Sequence, residues 1–299
     1  MIILDNVRKV YGRTVAVDGV SLAVKAGEIF GLVGPDGAGK TTIIRMLTGV
    51  LAPSSGRLSV LGAANPEAVK DQLGYVPQKF SLYGDLTVME NIRLMGALYG
   101  QDAAEIDGRA AAILGFTKLL PFKDRLADNL SGGMKQKLAL AAGLMHRPRI
   151  YFLDEPTTGV DPVSRREFWQ MLYRLNKEGT SVFVSTPYMD EAELCTRIAF
   201  LHQGRIVACD TPPGLRRSYP HKVLELATPA KDVKPLLAGC PLLDINPFGD
   251  KYHLVTDDAA AAAVQVESAL GRAGVPVTSL AEIPPTLEDV FVALASEVA

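Results

Sequence analysis

Apolar residues fall along the chain in short runs rather than in long stripes. Ile2 to Val7 and Ser21 to Val24, the latter before a turn at Ala26-Gly27, predict two opening strands. Glu28-Ile29-Phe30-Gly31-Leu32-Val33 is a further apolar run, and it ends in a glycine-rich loop. Beyond the loop, Thr41 to Leu47 carries the apolar positions of a buried helix. From about Ser81 to Met145 the chain is rich in Ala and Leu, with several Met, which together favour helix. Ile150 to Leu153 then predicts a short buried strand ending in two acids. Ser181 to Ser185 predicts a β-branched strand, and Ala199 to Ala208 a hairpin turning at Gln203-Gly204. Strands alternating with helices in this way predict a parallel α/β core carrying a helical insertion.

After Tyr219-Pro220 the pattern changes. Val223 to Ala227 predicts a strand, Lys231 to Leu237 a helix, and Leu242 to Ile245 with Tyr252 to Thr256 a hairpin. Ala259 to Gly271 predicts a helix, Val275 to Leu280 a strand and Thr286 to Ala295 a last helix. The order β-α-β-β-α-β is that of a split βαβ, ferredoxin-like α+β module. Two domains are therefore expected: residues 1–217, with the helical insertion at about 81–145, and a small accessory domain over 221–299. A chain of 299 residues has room for both.

Composition narrows the function by exclusion. The net charge is −2 and no run of like charges supplies a basic patch, so nucleic acid is not an expected partner. Cys195, Cys209 and Cys240 have no paired spacing of the kind that binds zinc or does redox work, and are expected to be buried thiols. The first residues show no charged segment leading into a long apolar one, and nowhere do about 18 apolar residues run uninterrupted. The expectation is a cytoplasmic protein that, if it serves a membrane, docks on the helices of another chain.

The glycine-rich loop carries the first chemistry. Gly34-Pro35-Asp36-Gly37-Ala38-Gly39-Lys40-Thr41-Thr42 matches G-x-x-x-x-G-K-[ST], between a strand and a helix as a phosphate-binding loop requires. Glycines let successive backbone N–H groups converge on phosphate oxygens, and the helix N-terminus adds partial positive charge. Lys40 would reach the β- and γ-phosphates and the Thr41 hydroxyl would ligate Mg²⁺. Asp36, a carboxylate beside a polyphosphate, is expected to face outward and bond locally.

Asp154 and Glu155 end a buried strand at the edge where ligands of α/β folds sit. Asp154 would hold Mg²⁺, and Glu155 would orient or deprotonate the attacking water. About twenty residues earlier, Leu130-Ser131-Gly132-Gly133-Met134-Lys135-Gln136 resembles the signature loop of ATP-binding cassette (ABC) ATPases, with Met134 in place of the commoner Gln. Other residues resemble that family in the family's order. Tyr11 matches the aromatic that stacks on adenine, Gln78 the glutamine that senses Mg²⁺ and water, and Asp161 the loop that crosses the dimer interface.

The resemblance covers residues from about 1 to 217. It implies a P-loop ABC ATPase core with an antiparallel β subdomain and the helical insertion. It also implies ATP and Mg²⁺ as cofactors, transmembrane permease subunits as partners, and a place on the inner face of the cell membrane. In the family, Ser131, Gly132 and Gly133 would serve the nucleotide of a facing subunit, in a head-to-tail dimer with itself or with a second ABC ATPase.

One position departs from the pattern. In Ser185-Thr186-Pro187-Tyr188-Met189-Asp190-Glu191, Pro187 stands where the family's switch histidine contacts the γ-phosphate. His146, His202, His221 and His253 all lie outside this segment. Proline has no ionisable group and no N–H to donate. Loss of one transition-state contact costs roughly 10² to 10³ in rate. Slow hydrolysis at this chain's own site is the expectation.

An intact signature beside an impaired switch resembles the N-terminal half of tandem-ATPase multidrug exporters. Pro285-Thr286-Leu287-Glu288-Asp289-Val290-Phe291 resembles the end of the C-terminal domain of drug-exporter ATPases. The leading reading is thus an ATPase subunit of an exporter. The alternative is a non-catalytic ATP-binding regulator, which Pro187 favours and Glu155 opposes. Soluble ABC proteins acting on ribosomes or DNA carry paired cassettes, coiled-coil insertions or basic patches that this chain does not show.

Overall fold

The computed structural model describes residues 1–298, which divide into two compact units, Met1–Pro212 and the residues from Pro213 onward. The first unit opens with β1 (Ile2–Tyr11) and β2 (Thr14–Val24), an antiparallel pair whose two-residue turn places Gly12 at φ +58°. Both strands are longer than the apolar runs suggest, because polar and charged residues are interspersed along them. Val7, Val17, Val20 and Val24 are buried, while alternate charged and polar residues face solvent.

β3 (Ile29–Val33) is wholly buried and leads through residues 34–39 into α1 (Lys40–Leu47). β4 (Ser55–Val60) adds to β1, closing a three-stranded antiparallel sheet in the order β2-β1-β4. Only Leu58 and Val60 of β4 are buried, so its sequence carries little strand signal. β5 (Leu73–Val76) edges the second sheet.

The helical insertion consists of α2 (Val88–Leu98), α3 (Ala103–Phe116) and α4 (Gly132–Gly143). Thr87 with Glu90 and Asp102 with Glu105 form reciprocal capping boxes that fix where α2 and α3 start. Val88, Ile92, Ile106, Leu114, Leu138 and Met145 belong to its hydrophobic core.

β6 (Ile150–Asp154), α5 (Pro162–Lys177), β7 (Ser181–Thr186), α6 (Met189–Ala192), β8 (Arg197–His202) and β9 (Arg205–Asp210) complete the first unit. The main sheet runs β5-β6-β7-β3-β8-β9, with every pairing parallel except the β8–β9 hairpin. β3 therefore lies between β7 and β8, and the loops after β3, β6 and β7 emerge along one edge.

α7 (Pro212–Ser218) precedes β10 (Lys222–Ala227), β11 (Asp244–Phe248), β12 (Lys251–Thr256), α8 (Ala259–Arg272), β13 (Ser279–Ile283) and α9 (Leu287–Val298). The four strands order as β11-β12-β10-β13, all antiparallel, as in a ferredoxin-like sheet. The helix predicted over 231–237 is only a turn, bonded Leu236 N to Val233 O and Cys240 N to Leu237 O. Pro235 has no N–H and Gly239 follows, so no regular helix propagates there. The strand predicted at 275–280 starts at Ser279, because Pro276 sits in the approach and its carbonyl accepts from Thr228 Oγ1 at 2.9 Å.

α4 packs on the main sheet with almost no clearance. A Cβ on Gly143 would lie 2.0 Å from the Tyr151 hydroxyl, which is fully buried and donates to Leu140 O at 2.8 Å. Gly143→Ala should therefore destabilise the chain by about 1–3 kcal/mol through overpacking. Tyr151→Phe should cost about 1 kcal/mol through its lost hydrogen bond. In urea unfolding, the double variant should lose less than the two single losses combined; strict additivity would show that helix and strand do not meet there.

Candidate functional site

The glycines of the loop after β3 are required by close approaches. A Cβ on Gly34 would sit 2.2 Å from Leu201 O, and one on Gly39, at φ +107°, would sit 2.4 Å from Ala16 O. Gly37 takes φ +78°, a left-handed conformation that glycine adopts without strain. Pro35 and Asp36 are exposed and Ala38 is buried at the turn, where Ala38 N donates to Pro35 O at 3.2 Å. Asp36 faces outward, but among the described residues its carboxylate has no local hydrogen bond, so the bonding expected of it is not found. Thr41 and Thr42 follow in the first turn of α1, both partly buried.

Lys40 is buried at the start of α1. Its ammonium donates to Gly34 O at 2.7 Å and Pro35 O at 3.0 Å, and lies 3.1 Å from Glu155 Oε1. Lysine and glutamate side chains are 3% and 6% exposed, so water screens this pair poorly. The other oxygen of Glu155 accepts from Gln78 Nε2 at 2.9 Å and from Thr158 Oγ1 at 3.4 Å. Glu155 itself has φ +48°, held by its N–H donating to both the carbonyl and the hydroxyl of Ser185 at 3.1 Å. A non-glycine residue in the left-handed region is strained, and such strain gathers at functional sites.

Asp154 lies one residue earlier, fully buried, and its Oδ1 accepts from Thr41 Oγ1 at 3.1 Å and from Ser185 Oγ at 2.7 Å. Thr41, Asp154 and the amide of Gln78 present hard oxygen donors, the type that suits Mg²⁺. Thr41 and Asp154 are in direct contact, so their donors fit one cation between them. Gln78 is bonded to Glu155 instead. Loop, cation and carboxylates together can bind a polyphosphate, hold a divalent cation and polarise a water.

The remaining residues lie in three places. Pro187 follows β7 directly; Thr186 O accepts from Gly34 N at 3.3 Å, so the switch turn starts against the phosphate loop. Tyr11 ends β1 about half exposed, with the Lys9 ammonium 5.4 Å from its ring centroid. Ser131, the N-cap of α4, accepts from Met134 N at 3.3 Å; it and Gly132 are exposed, while Gly133 is buried against Ser164 and Val160. Asp161 caps α5, accepting from Ser164 N at 2.9 Å. The signature residues and Asp161 thus adjoin one another without a hydrogen bond to this chain's own phosphate loop.

Ser185 was not foreseen from sequence, although it ties Asp154 to the backbone of Glu155. A serine ending a β-branched strand carries no signal of that task. Nor was Glu191, fully buried four residues past Pro187.

Comparison with known proteins gives a consistent picture. The ABC transporter family model matches residues 17–158, and a model described as ATP-binding protein DrrA1-3-like, C-terminal domain, matches 211–295. The probable multidrug ABC transporter ATP-binding protein YbhF of Escherichia coli is 40% identical over 286 residues, covering 93% of this chain and 49% of that protein. The chain thus spans about half the length of that relative. The Nod factor export ATP-binding protein I of Rhizobium sp. (strain N33) is 36% identical, covering 97% of this chain and 95% of that one. Among solved structures, an ATP-binding cassette dimer in a post-hydrolysis state with ADP and Pi has a TM-score of 0.66 and 28% identity. That match covers 71% of this chain and 98% of the cassette.

Two measurements test the geometry. Lys40→Met leaves Glu155 buried without its cation and should destabilise the chain by about 3–5 kcal/mol, and Lys40→Met with Glu155→Gln should recover most of that loss. Equal loss in both variants by urea unfolding would show that the pair carries no coupling. For Asp161, the backbone N–H of Ser164 first, then its side chain, hold the carboxyl below the usual carboxylate range. A depressed folded value stabilises above the unfolded value and is lost as pH falls through the folded one. Between pH 6 and pH 3 the melting temperature of Asp161→Asn should therefore fall less than that of the unsubstituted chain; parallel falls would exclude this cap from the acid response.

Proposed function

The chain belongs to the ATP-binding subunits of ABC transporters and is an ATPase of that kind, and from this premise we propose that it powers a membrane exporter while its own site, with Pro187 in the switch, turns over slowly. The contact set Lys40–Glu155–Gln78 beside Thr41–Asp154 carries this reading, because it holds a phosphate-binding cation and a water-activating carboxylate at one sheet edge.

In this reading the loop from Gly34 to Thr42 directs backbone N–H groups at the β- and γ-phosphates. Lys40 exchanges the carbonyls of Gly34 and Pro35 for phosphate oxygens. Thr41 and Asp154 would hold Mg²⁺, which would supply charge neutralisation, with Gln78 as a further candidate ligand. Glu155 accepts the proton of the attacking water, and Gln78 keeps its second oxygen oriented. Tyr11 stacks on the adenine. Position 187 contributes no donor to the γ-phosphate, so charge developing there is less well neutralised.

Exposure of Ser131 and Gly132 at the start of α4 supports a role toward the nucleotide of a facing subunit, with Asp161 beside them. A head-to-tail dimer follows, either with a second copy or with another ABC ATPase bearing a histidine. Relatives are named for multidrug transport, Nod factor export and linearmycin resistance, which supports export as the shared direction. None of the helices formed by the described residues is long and apolar enough to cross a membrane. Transmembrane permease subunits would then supply the path, with this chain on the cytoplasmic face. We assign residues 1–217 to the ATP-binding domain and 221–299 to the accessory domain.

Steady-state Mg-ATP hydrolysis by the purified chain tests this. The unsubstituted chain should be nearly inactive, Pro187→His should gain about a hundredfold, and adding Glu155→Gln should abolish the gain. Brisk hydrolysis unchanged by Pro187→His would overturn the slow-site reading. ATP binding with no activity in any variant would favour a non-catalytic regulatory subunit, the reading to which Pro187 also points.

A further inference from the structure

We propose that Glu191 is a positioning residue that makes the switch turn, the segment after Glu155 and the first turns of α5 respond to bound ATP as one body. This rests on the ATP-binding reading above and deepens it.

Glu191 lies in α6, four residues past Pro187, and is 1% exposed. A buried carboxylate is tolerated only where its oxygens find partners. Here each partner comes from a different functional segment. Oε2 accepts from Thr186 Oγ1 at 2.7 Å, and that hydroxyl also accepts from Tyr188 N at 3.1 Å. Thr186 is the residue before Pro187, and its carbonyl accepts from Gly34 N of the phosphate loop. Oε1 accepts from Thr157 Oγ1, two residues past Glu155. The same oxygen lies 3.5 Å from Arg165 Nε, on the helix that Asp161 caps.

Arg165 grips the switch turn a second time. Its guanidinium lies 4.6 Å from the centre of the Tyr188 ring and 3.3 Å from Asp190 Oδ2. Its Nε is buried and, despite the ion pair with Glu191, forms no hydrogen bond. The contact is charge paired but not geometrically saturated, so a small shift of α5 against α6 strengthens or weakens it. Three segments, the switch turn, the stretch after Glu155 and α5, therefore meet at one carboxylate, and the phosphate loop joins them through the Thr186 carbonyl.

A plain structural role for Glu191 predicts something different. Filling a buried polar niche would make its loss weaken the whole unit, with ATP binding and the responses of all segments falling together. A positioning role predicts a selective loss, in which the phosphate loop still senses ATP and α5 does not.

Hydrogen exchange on the full chain, in the Glu155→Gln background so that MgATP persists, separates the two. With Glu191 present, MgATP should slow exchange in residues 34–42, 157–166 and 186–192 together. In Glu191→Gln, residues 34–42 should keep their protection and the ATP Kd should stay within about twofold, while ATP-dependent protection of 157–166 falls at least about tenfold. Thr186→Val, nearly isosteric, removes one arm only and should release 186–192 while leaving 34–42 protected; it keeps the test open should Glu191→Gln fold poorly. Undiminished protection of 157–166 in Glu191→Gln and of 186–192 in Thr186→Val overturns the proposal alone. So does loss of protection in all segments together with a lowered melting temperature in both variants, which marks a structural role. No ATP-dependent protection of residues 34–42 in the parent chain overturns the ATP-binding reading itself, and the coupling falls with it.

Discussion

An ammonium and a carboxylate placed almost out of reach of water, those of Lys40 and Glu155, set the terms for everything near them. Either charge left alone there is costly, because desolvation of an unpaired ion costs several kcal/mol. Their meeting requires β3 and β6, which flank β7 on either side, to end at the same edge of the sheet, as the parallel pairing provides. It requires Gly34 to lie against Leu201 O with no side chain between them. It also requires Glu155 to adopt a left-handed backbone, which Ser185, from β7, holds through both its carbonyl and its hydroxyl. Fold and site are in this sense one problem, since the sheet is arranged so that the charges coincide.

The turn after β7 is held by the same neighbourhood although its residue 187 carries no polar group. Thr186 is bonded on one side to Gly34 and on the other to Glu191, so the turn is anchored at its start whatever follows. Rigidity and chemistry are separable there. A proline next to such an anchor fits the backbone path and offers no N–H of its own.

Legibility of the sequence follows the range over which each feature is encoded. The phosphate loop and the acid pair are contiguous, and each is bounded by strand or helix signals, so their placement at the ends of β3 and β6 was readable. β4 was not, because only two of its residues face inward, nor β5, which is four residues long. The helix expected at 231–237 had apolar spacing on its side but contained Pro235, and the backbone constraint prevailed over the pattern. Ser185 and Glu191 stayed hidden for a deeper reason. Their tasks exist only after distant segments close on them, and no local spacing announces a partner 31 or 34 residues away. The strand order of the C-terminal sheet followed from element order alone, even where one element failed to form.

The C-terminal unit has a hydrophobic core of its own, drawn from residues such as Leu224, Val233, Leu254, Val266 and Leu270. The phosphate-loop unit draws on Val7, Ile43, Phe152 and Phe183, with no residue common to the two clusters. Where two such cores unfold separately, calorimetry resolves two transitions rather than one. Nucleotide stabilises only the transition of the unit that binds it. A single midpoint read for the whole chain would average a responsive component with a silent one, and so would understate ligand affinity.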